Sequence, residues 1–194
     1  MNNPLNITVT KHPLYFIAIN PSEEINSRVE SIKLDLKNKF GVQHALKLDA
    51  HITLQIPFRM PVGNEEILVE ILTEFSGEHH SFISELDGFG RFAKNVVFIK
   101  IKDHEPYIKL HAELQNVMLN FLDLKSHEIS SKIHPHITLA TRDLKRSHFP
   151  QIWEYFNDKD LSLSFSAKDI QLLRHNGKYW TSLYNFSLNT QLNL

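Results

Sequence analysis

The tetrapeptide His-Ile-Thr-Leu occurs twice, at His51-Ile52-Thr53-Leu54 and at His136-Ile137-Thr138-Leu139, 85 residues apart. One His-x-Thr triplet is close to chance in a chain with 12 histidines and would specify nothing. Two identical tetrapeptides, each opening a block of similar layout, constrain the fold strongly. Phe82 follows His51 by 31 residues and Phe165 follows His136 by 29, so the internal spacing is kept. Such self-similarity marks a duplicated supersecondary unit. Alternating strands and helices read as an α/β protein, and the repeat makes residues 1–194 one domain of two pseudo-symmetric lobes, with blocks at about 51–101 and about 136–188.

Periodicity supplies the elements. LYFIAI at 14–19, bounded by Pro13 and Pro21, reads as a buried strand. A helix should follow, with Asn20 as N-cap, Pro21 in the first turn and Glu23 completing a capping box. Ile25, Val29, Ile32, Leu36 and Phe40 form its apolar stripe, and Gly41 stops it. Each block is then expected to run strand, helix, strand, strand. The first comprises 51–56, a helix from Asn64 to Phe75 with Ile67, Leu68, Ile71 and Leu72 on one face, and strands at 81–91 and 95–101. A helix at 106–122 leads to the second, which comprises 135–141, a helix holding Phe149, Ile152, Trp153 and Phe156, and strands at about 161–174 and 178–188. Asn176-Gly177 is a strong hairpin signal between the last two.

Strand geometry gives the duplicated spacing its chemical meaning. Side chains alternate with period two, so His51 and Thr53 share one face while Ile52 and Leu54 share the other. His136 and Thr138 behave likewise against Ile137 and Leu139. With the apolar faces packed inward, a pseudo-twofold axis brings two imidazoles and two hydroxyls around one point. Opposed imidazoles suit in-line displacement at phosphorus, one accepting a proton from the attacking hydroxyl and the other donating to the departing oxygen. An ordinary histidine pKa near about 6.5 allows both protonation states near neutrality. Threonine hydroxyls can donate to non-bridging phosphoryl oxygens. No metal and no other cofactor is required.

The paired motifs resemble those of the two-histidine (2H) phosphoesterase superfamily, in its 2′-5′ RNA ligase-like and RNA cyclic-phosphodiesterase branch. The likeness includes F-x-x-x-L-x-x-F-G-x-F followed by NVVFIKI, the Pro-His-Ile-Thr-Leu-Ala form of the second motif, and Ile170-Gln171-Leu172-Leu173 with its closing strand. The resemblance implies a bilobal α+β fold with a pseudo-twofold axis, two antiparallel sheets lining a central groove and helices outside. It implies His51 and His136 as the catalytic pair and Thr53 and Thr138 as phosphate contacts. The implied reaction is opening of a 2′,3′-cyclic phosphate at an RNA end or a related nucleotide phosphodiester. Ligation to 2′-5′ linkages, hydrolysis of small cyclic nucleotides or oligonucleotides, and a non-catalytic nucleotide-binding role are the alternatives.

Other residues are candidates for substrate contact. Arg59 and Arg142 follow the two motifs and could clamp a phosphate. Phe58 and Tyr179, with Phe89, Phe92 and Trp180, could stack on a base, although packing in the core competes for most of them. His134-Pro135-His136 invites a metal reading, but no carboxylate or third histidine stands at a matching spacing nearby. His79-His80 is expected in a solvated turn. The formal net charge of -1 argues against coating long nucleic acid and suits a short or terminal substrate. Cysteine is absent, which excludes disulfides, thiolate nucleophiles and Cys-bound zinc. No segment approaches the roughly 18 apolar residues of a membrane span, so a cytoplasmic monomer is expected.

Overall fold

The computed structural model describes residues 12–157 and 159–190. Their elements run β1 (Leu14–Ile19), α1 (Glu23–Phe40), β2 (Ile52–Arg59), α2 (Glu65–Gly77), β3 (Phe82–Phe92), β4 (Val96–Ile101) and α3 (Glu105–Phe121). There follow β5 (His136–Ala140), α4 (Phe149–Asn157), β6 (Ser162–Ala167), β7 (Asp169–His175) and β8 (Trp180–Ser187). The strands form two four-stranded sheets in the orders β2-β1-β7-β8 and β5-β4-β3-β6, with every pairing antiparallel. The fold is α+β, and the two motif strands occupy equivalent edges, β2 beside β1 and β5 beside β4. Among the described residues no helix is long and apolar enough to cross a membrane.

The sheets do not coincide with the sequence blocks. β3 and β4, which follow the first motif, join the sheet of the second motif strand, while β7 and β8 join the sheet of the first. The units that match in the structure are β1-α1-β2-α2 and β4-α3-β5-α4, so each motif strand is preceded by its own strand and helix. The expected strand at about 161–174 is two strands, because the chain leaves one sheet at Ala167 and enters the other at Asp169. The Lys168 carbonyl accepts from Leu188 N at this crossing.

Local chemistry explains the other departures from sequence expectation. Helix α1 is capped by Ser22, whose extended backbone (φ -60°, ψ 161°) lets its hydroxyl accept from Ile25 N at 3.4 Å. Pro21 therefore lies before the helix and its carbonyl accepts from Asn26 Nδ2. Gly41 ends α1 in the left-handed region at φ 72°, as the glycine stop signal requires. In α2 the phase buries Leu68, Leu72 and Phe75 and leaves Ile67 48% exposed.

Strand β1 is apolar on both faces for a structural reason. Tyr15, Ile17 and Ile19 enter a large core that also takes Leu54 from β2 and Ile99, Ile137 and Leu139 from the other sheet. Phe16 and Ala18 point the other way, into a small cluster with Leu173, against which Leu48 and Trp180 pack. Burying one large apolar side chain stabilises a fold by about 1.5–3 kcal/mol, so the core residues clamp the orientation of both motif strands. Helix α1 packs against β5 and α3 against β2, each helix bracing the motif strand of the other half.

Candidate active site

Both motif histidines are held in the same way. His51 Nδ1 donates to the carbonyl of Asp49 at 2.8 Å, and His136 Nδ1 donates to the carbonyl of His134 at 2.6 Å. A carbonyl oxygen can only accept, so the proton sits on Nδ1 and the Nε2 lone pair is free in the neutral ring. The anchoring carbonyl lies two residues upstream in each case. Each ring also packs on a phenylalanine of the adjoining strand: His51 lies 5.4 Å from the Phe16 ring of β1, and His136 lies 5.1 Å from the Phe98 ring of β4.

The setting of Phe98 depends on Gly90 of β3, its partner across the sheet. A Cβ at Gly90 would overlap the edge of the Phe98 ring, with Cζ only 2.6 Å away. The glycine is thus required by close approach. Phe92 completes the support of His136 with an edge-on contact at 5.0 Å.

A cavity of about 340 Å³ is bordered by His51 of the first motif and Thr138 of the second. His136 is near enough for like-charge repulsion to help lower the pKa of His51. Phe16 meets Trp180 edge-on at 4.6 Å, and Trp180 meets His175 at 5.0 Å, so aromatic rings pave the cleft from His51 to the β7–β8 hairpin. In that hairpin Gly177 takes φ 97° and Asn176 Oδ1 accepts from the backbone N–H of Lys178 and Tyr179. This fixes both residues on the cavity rim.

The opposite rim is also pinned. Asp143 Oδ2 accepts from Gln43 N and His44 N, both at 2.8 Å, tying the loop after β5 to the turn after α1. Arg142, just before this anchor, has a left-handed backbone at φ 57°. A non-glycine residue in that region costs on the order of 1 kcal/mol and persists where surrounding contacts over-determine it. Lys33 of α1, only 4% exposed, donates from Nζ to the Leu48 carbonyl at 2.9 Å and also reaches the cavity.

Burial holds both imidazoles below the ordinary histidine range. His51 is pushed down to about 4, chiefly by burial, opposed by its hydrogen bond to Asp49 and reinforced by the charges of Lys33 and His136. His136 is also lowered chiefly by burial, opposed by the bond to His134 and reinforced by the His134 and His104 imidazoles. Both rings are therefore neutral at pH 7 in the free protein, a stronger bias than an unperturbed histidine provides. Lys33 is lowered to about 8, mainly by burial.

Of the residues singled out in the sequence, Thr138, Arg142, Tyr179 and Trp180 border the cavity with His51, whereas His136 and Thr53 are not among its lining residues. Thr53 lies partly buried on β2, opposite Ala18 of β1. Two candidates are corrected. Phe58 is fully buried and stacks on Tyr15 at 5.9 Å, so no base can reach it. Arg59 ends β2 roughly 25 Å along the strand from His51, and its Nη1 donates to the carbonyl of His12. Sequence reasoning missed the cavity residues Lys33, His44, Lys47, His175 and Lys178 and the supporting rings Phe16 and Phe98. The clearest available signal was Lys33, since its spacing from Val29 and Leu36 puts it on the buried stripe of α1.

Known proteins share this architecture. A Thermus thermophilus protein, TT0787, superposes with a TM-score of 0.68 at 19% identity, covering 92% of this chain and 99% of that one. Escherichia coli LigT in its apo form gives a TM-score of 0.63 at 17% identity, covering 94% and 100%. LigT with 3′-AMP gives 0.61 at 17%, covering 93% and 99%. No curated protein matches. The family model described as the 2′-5′ RNA ligase superfamily matches residues 21–178 and thus both His-x-Thr motifs, and the chain belongs to that superfamily.

Proposed function

We propose that the chain is a phosphodiesterase that opens 2′,3′-cyclic phosphates at RNA ends or related nucleotide phosphodiesters, with His51 and His136 as its acid–base pair. Superfamily membership supports a phosphoesterase- or ligase-type enzyme. The observation that carries the reading is the matched tethering of the two rings. Each Nδ1 is tied to a carbonyl two residues upstream, leaving each Nε2 as the atom that handles protons. The continuous core supports reading the chain as one bilobal unit with a shared cleft.

In the reaction, one neutral imidazole accepts a proton from water as the water oxygen attacks phosphorus. The bond from phosphorus to one ribose oxygen breaks, and the other histidine, as imidazolium, protonates that oxygen. The product is a phosphomonoester, and the two histidines have exchanged protonation states. Thr53 and Thr138 donate to the non-bridging oxygens. Both imidazoles are neutral in the free protein, so the acid gains its proton on binding: the anionic diester favours the charged ring. Ligation would use the same groups with a ribose 5′-hydroxyl replacing water. LigT was crystallised with 3′-AMP, ATP and NADP+, which supports a nucleotide substrate here.

The test is incubation with a 2′,3′-cyclic mononucleotide, with and without chelator, and chromatography of the products. Conversion to a nucleoside monophosphate, unaffected by chelator, is expected. Folded protein that binds the nucleotide without converting it would favour the binding-module alternative.

A further inference from the structure

Basic side chains border the candidate cleft in excess of what one diester needs. Lys33, His44, Lys47, Arg142, His175 and Lys178 all line it, and no carboxylate lines it among the described residues. A diester between the two histidines carries a single negative charge, and two threonine hydroxyls are already assigned to it. None of the six is in an ion pair among the described residues. Carboxylates stand behind the rim: Asp143 faces His44 but is engaged by the backbone N–H groups of Gln43 and His44, and Asp49 and Glu30 act on Lys33.

The basic groups lie close enough to act on one another. Arg142 and Lys47 both lower the pKa of His44, after burial, and Lys33 helps lower that of His51. They also come from separately secured segments: the turn after α1, the left-handed residue after β5 and the Asn176-braced hairpin. Beside them lie two rings on the cavity lining: Tyr179, 48% exposed with the Lys178 ammonium 5.0 Å from its ring centre, and Trp180, whose inner side packs against the Phe16 cluster. A concentration of like charge fixed in place beside aromatic rings matches a nucleotide with more than one phosphate.

We propose that the rim formed by Lys47, Arg142 and Lys178 binds a second phosphate group, so that the substrate is a 2′,3′-cyclic nucleotide that also carries a phosphate on its 5′ oxygen. This rests on the phosphodiesterase reading above and narrows its substrate class. A free nucleotide supplies that group as a monoester, and an RNA end supplies it as the preceding internucleotide linkage.

The experiment compares adenosine 2′,3′-cyclic phosphate, its 5′-phosphorylated form, and a diadenosine dinucleotide ending in a cyclic phosphate. A charge-assisted contact predicts kcat/KM about tenfold or more higher for the 5′-phosphorylated form, carried by KM and eroded by salt. Arg142→Gln combined with Lys178→Gln should bring that ratio close to one. A matching gain for the dinucleotide assigns the group to an RNA end, and a gain limited to the monoester assigns it to a free nucleotide. A second arm measures binding without turnover, comparing adenosine 3′,5′-bisphosphate with adenosine 3′-monophosphate by Trp180 fluorescence in a Trp153→Phe background. Tighter bisphosphate binding that disappears in the double variant supports the second-phosphate site even where no substrate is cleaved, an outcome that removes only the phosphodiesterase reading. Equal binding of the two nucleotides by the parent, or a preference that survives in the double variant, overturns the site.

Discussion

The two motif strands share a scaffold for their histidines and differ in what surrounds it. On both sides a histidine is tied through Nδ1 to a carbonyl two residues back and rests on a phenylalanine of the neighbouring strand. Around His51 the neighbours are cationic: Lys33 behind it and Arg142 and Lys178 on the rim. Around His136 they are aromatic and imidazole groups: Phe92, Phe98, His134 and His104. In the proposed mechanism the repeated tetrapeptide supplies two equivalent proton-handling atoms, and the unrepeated surroundings make them inequivalent. An acid–base pair needs that inequivalence, since the two rings must hold opposite protonation states at once.

Removing either ring is the most severe way to break the comparison. His51→Ala and His136→Ala should each lower kcat on a cyclic phosphate by roughly 10²–10⁴-fold. The double variant should lose far less than the product of the two, because both rings serve one transition state. Thermal unfolding should stay close to the parent, as neither ring belongs to the apolar core. Parental turnover by both folded variants would end the two-histidine account.

The hydroxyls come next. Thr53→Val and Thr138→Val keep the side-chain shape and remove a donor to a charged oxygen, a loss of about 1.5–3 kcal/mol. That corresponds to roughly 10–100-fold in kcat/KM. Similar losses at the two positions would mark the threonines as equivalent despite their different surroundings. A loss at Thr138 alone would confine the phosphate contact to the threonine that borders the cavity.

Gly90→Ala perturbs one half only. The added methyl must displace the Phe98 ring, and with it the ring supporting His136, while Phe16 and His51 are untouched. Overpacking of this kind costs about 1–3 kcal/mol of stability. The imidazole NMR signals of His136 should move while those of His51 stay in place, with turnover reduced by roughly tenfold through misplacement of one group. Equal displacement of both signals would show that the halves are mechanically coupled.

These variants also mark where sequence reasoning stops. The motif histidines, the strand alternation that pairs them with threonines, and the Asn176-Gly177 hairpin are local patterns and could be read directly. Phe16 and Phe98 could not, because their role arises from pairing between β1 and β2 and between β4 and β5, across segments some 35–38 residues apart in sequence. The exchange of β3–β4 and β7–β8 between sheets was hidden for the same reason: two strands of suitable pattern say nothing about which edge they join. Phe58 and Arg59 were drawn toward the site by nearness in sequence to the first motif. An extended strand carries nearby residues far away, and core packing claimed the aromatic one.

The smallest expected effect sharpens the comparison most. Lys33→Met removes the buried ammonium beside His51 and preserves a long side chain of similar volume. Burial remains the main cause of the low His51 pKa, so the value should rise by about a pH unit or less. His136 should titrate as in the parent, since its causes are burial, the His134 carbonyl and the His134 and His104 rings. If His51 is the base, activity is lost as pH falls through its pKa, and the acid limb of kcat/KM shifts to higher pH. If it is the acid, activity is lost as pH rises through its pKa, and the alkaline limb shifts upward instead. Stability follows the same sign. A histidine whose folded pKa lies below about 6.5 contributes stability that is present above that pH and is lost as pH falls toward the folded value. With His51 near 4 in the parent, that loss should extend down to about pH 4 and end earlier in Lys33→Met. Chemical denaturation at steps from pH 7 to pH 4 reads the stability window, and NMR titration reads the ring directly. An unchanged His51 titration in the folded variant would remove Lys33 from the causes of the asymmetry and leave burial alone to account for it.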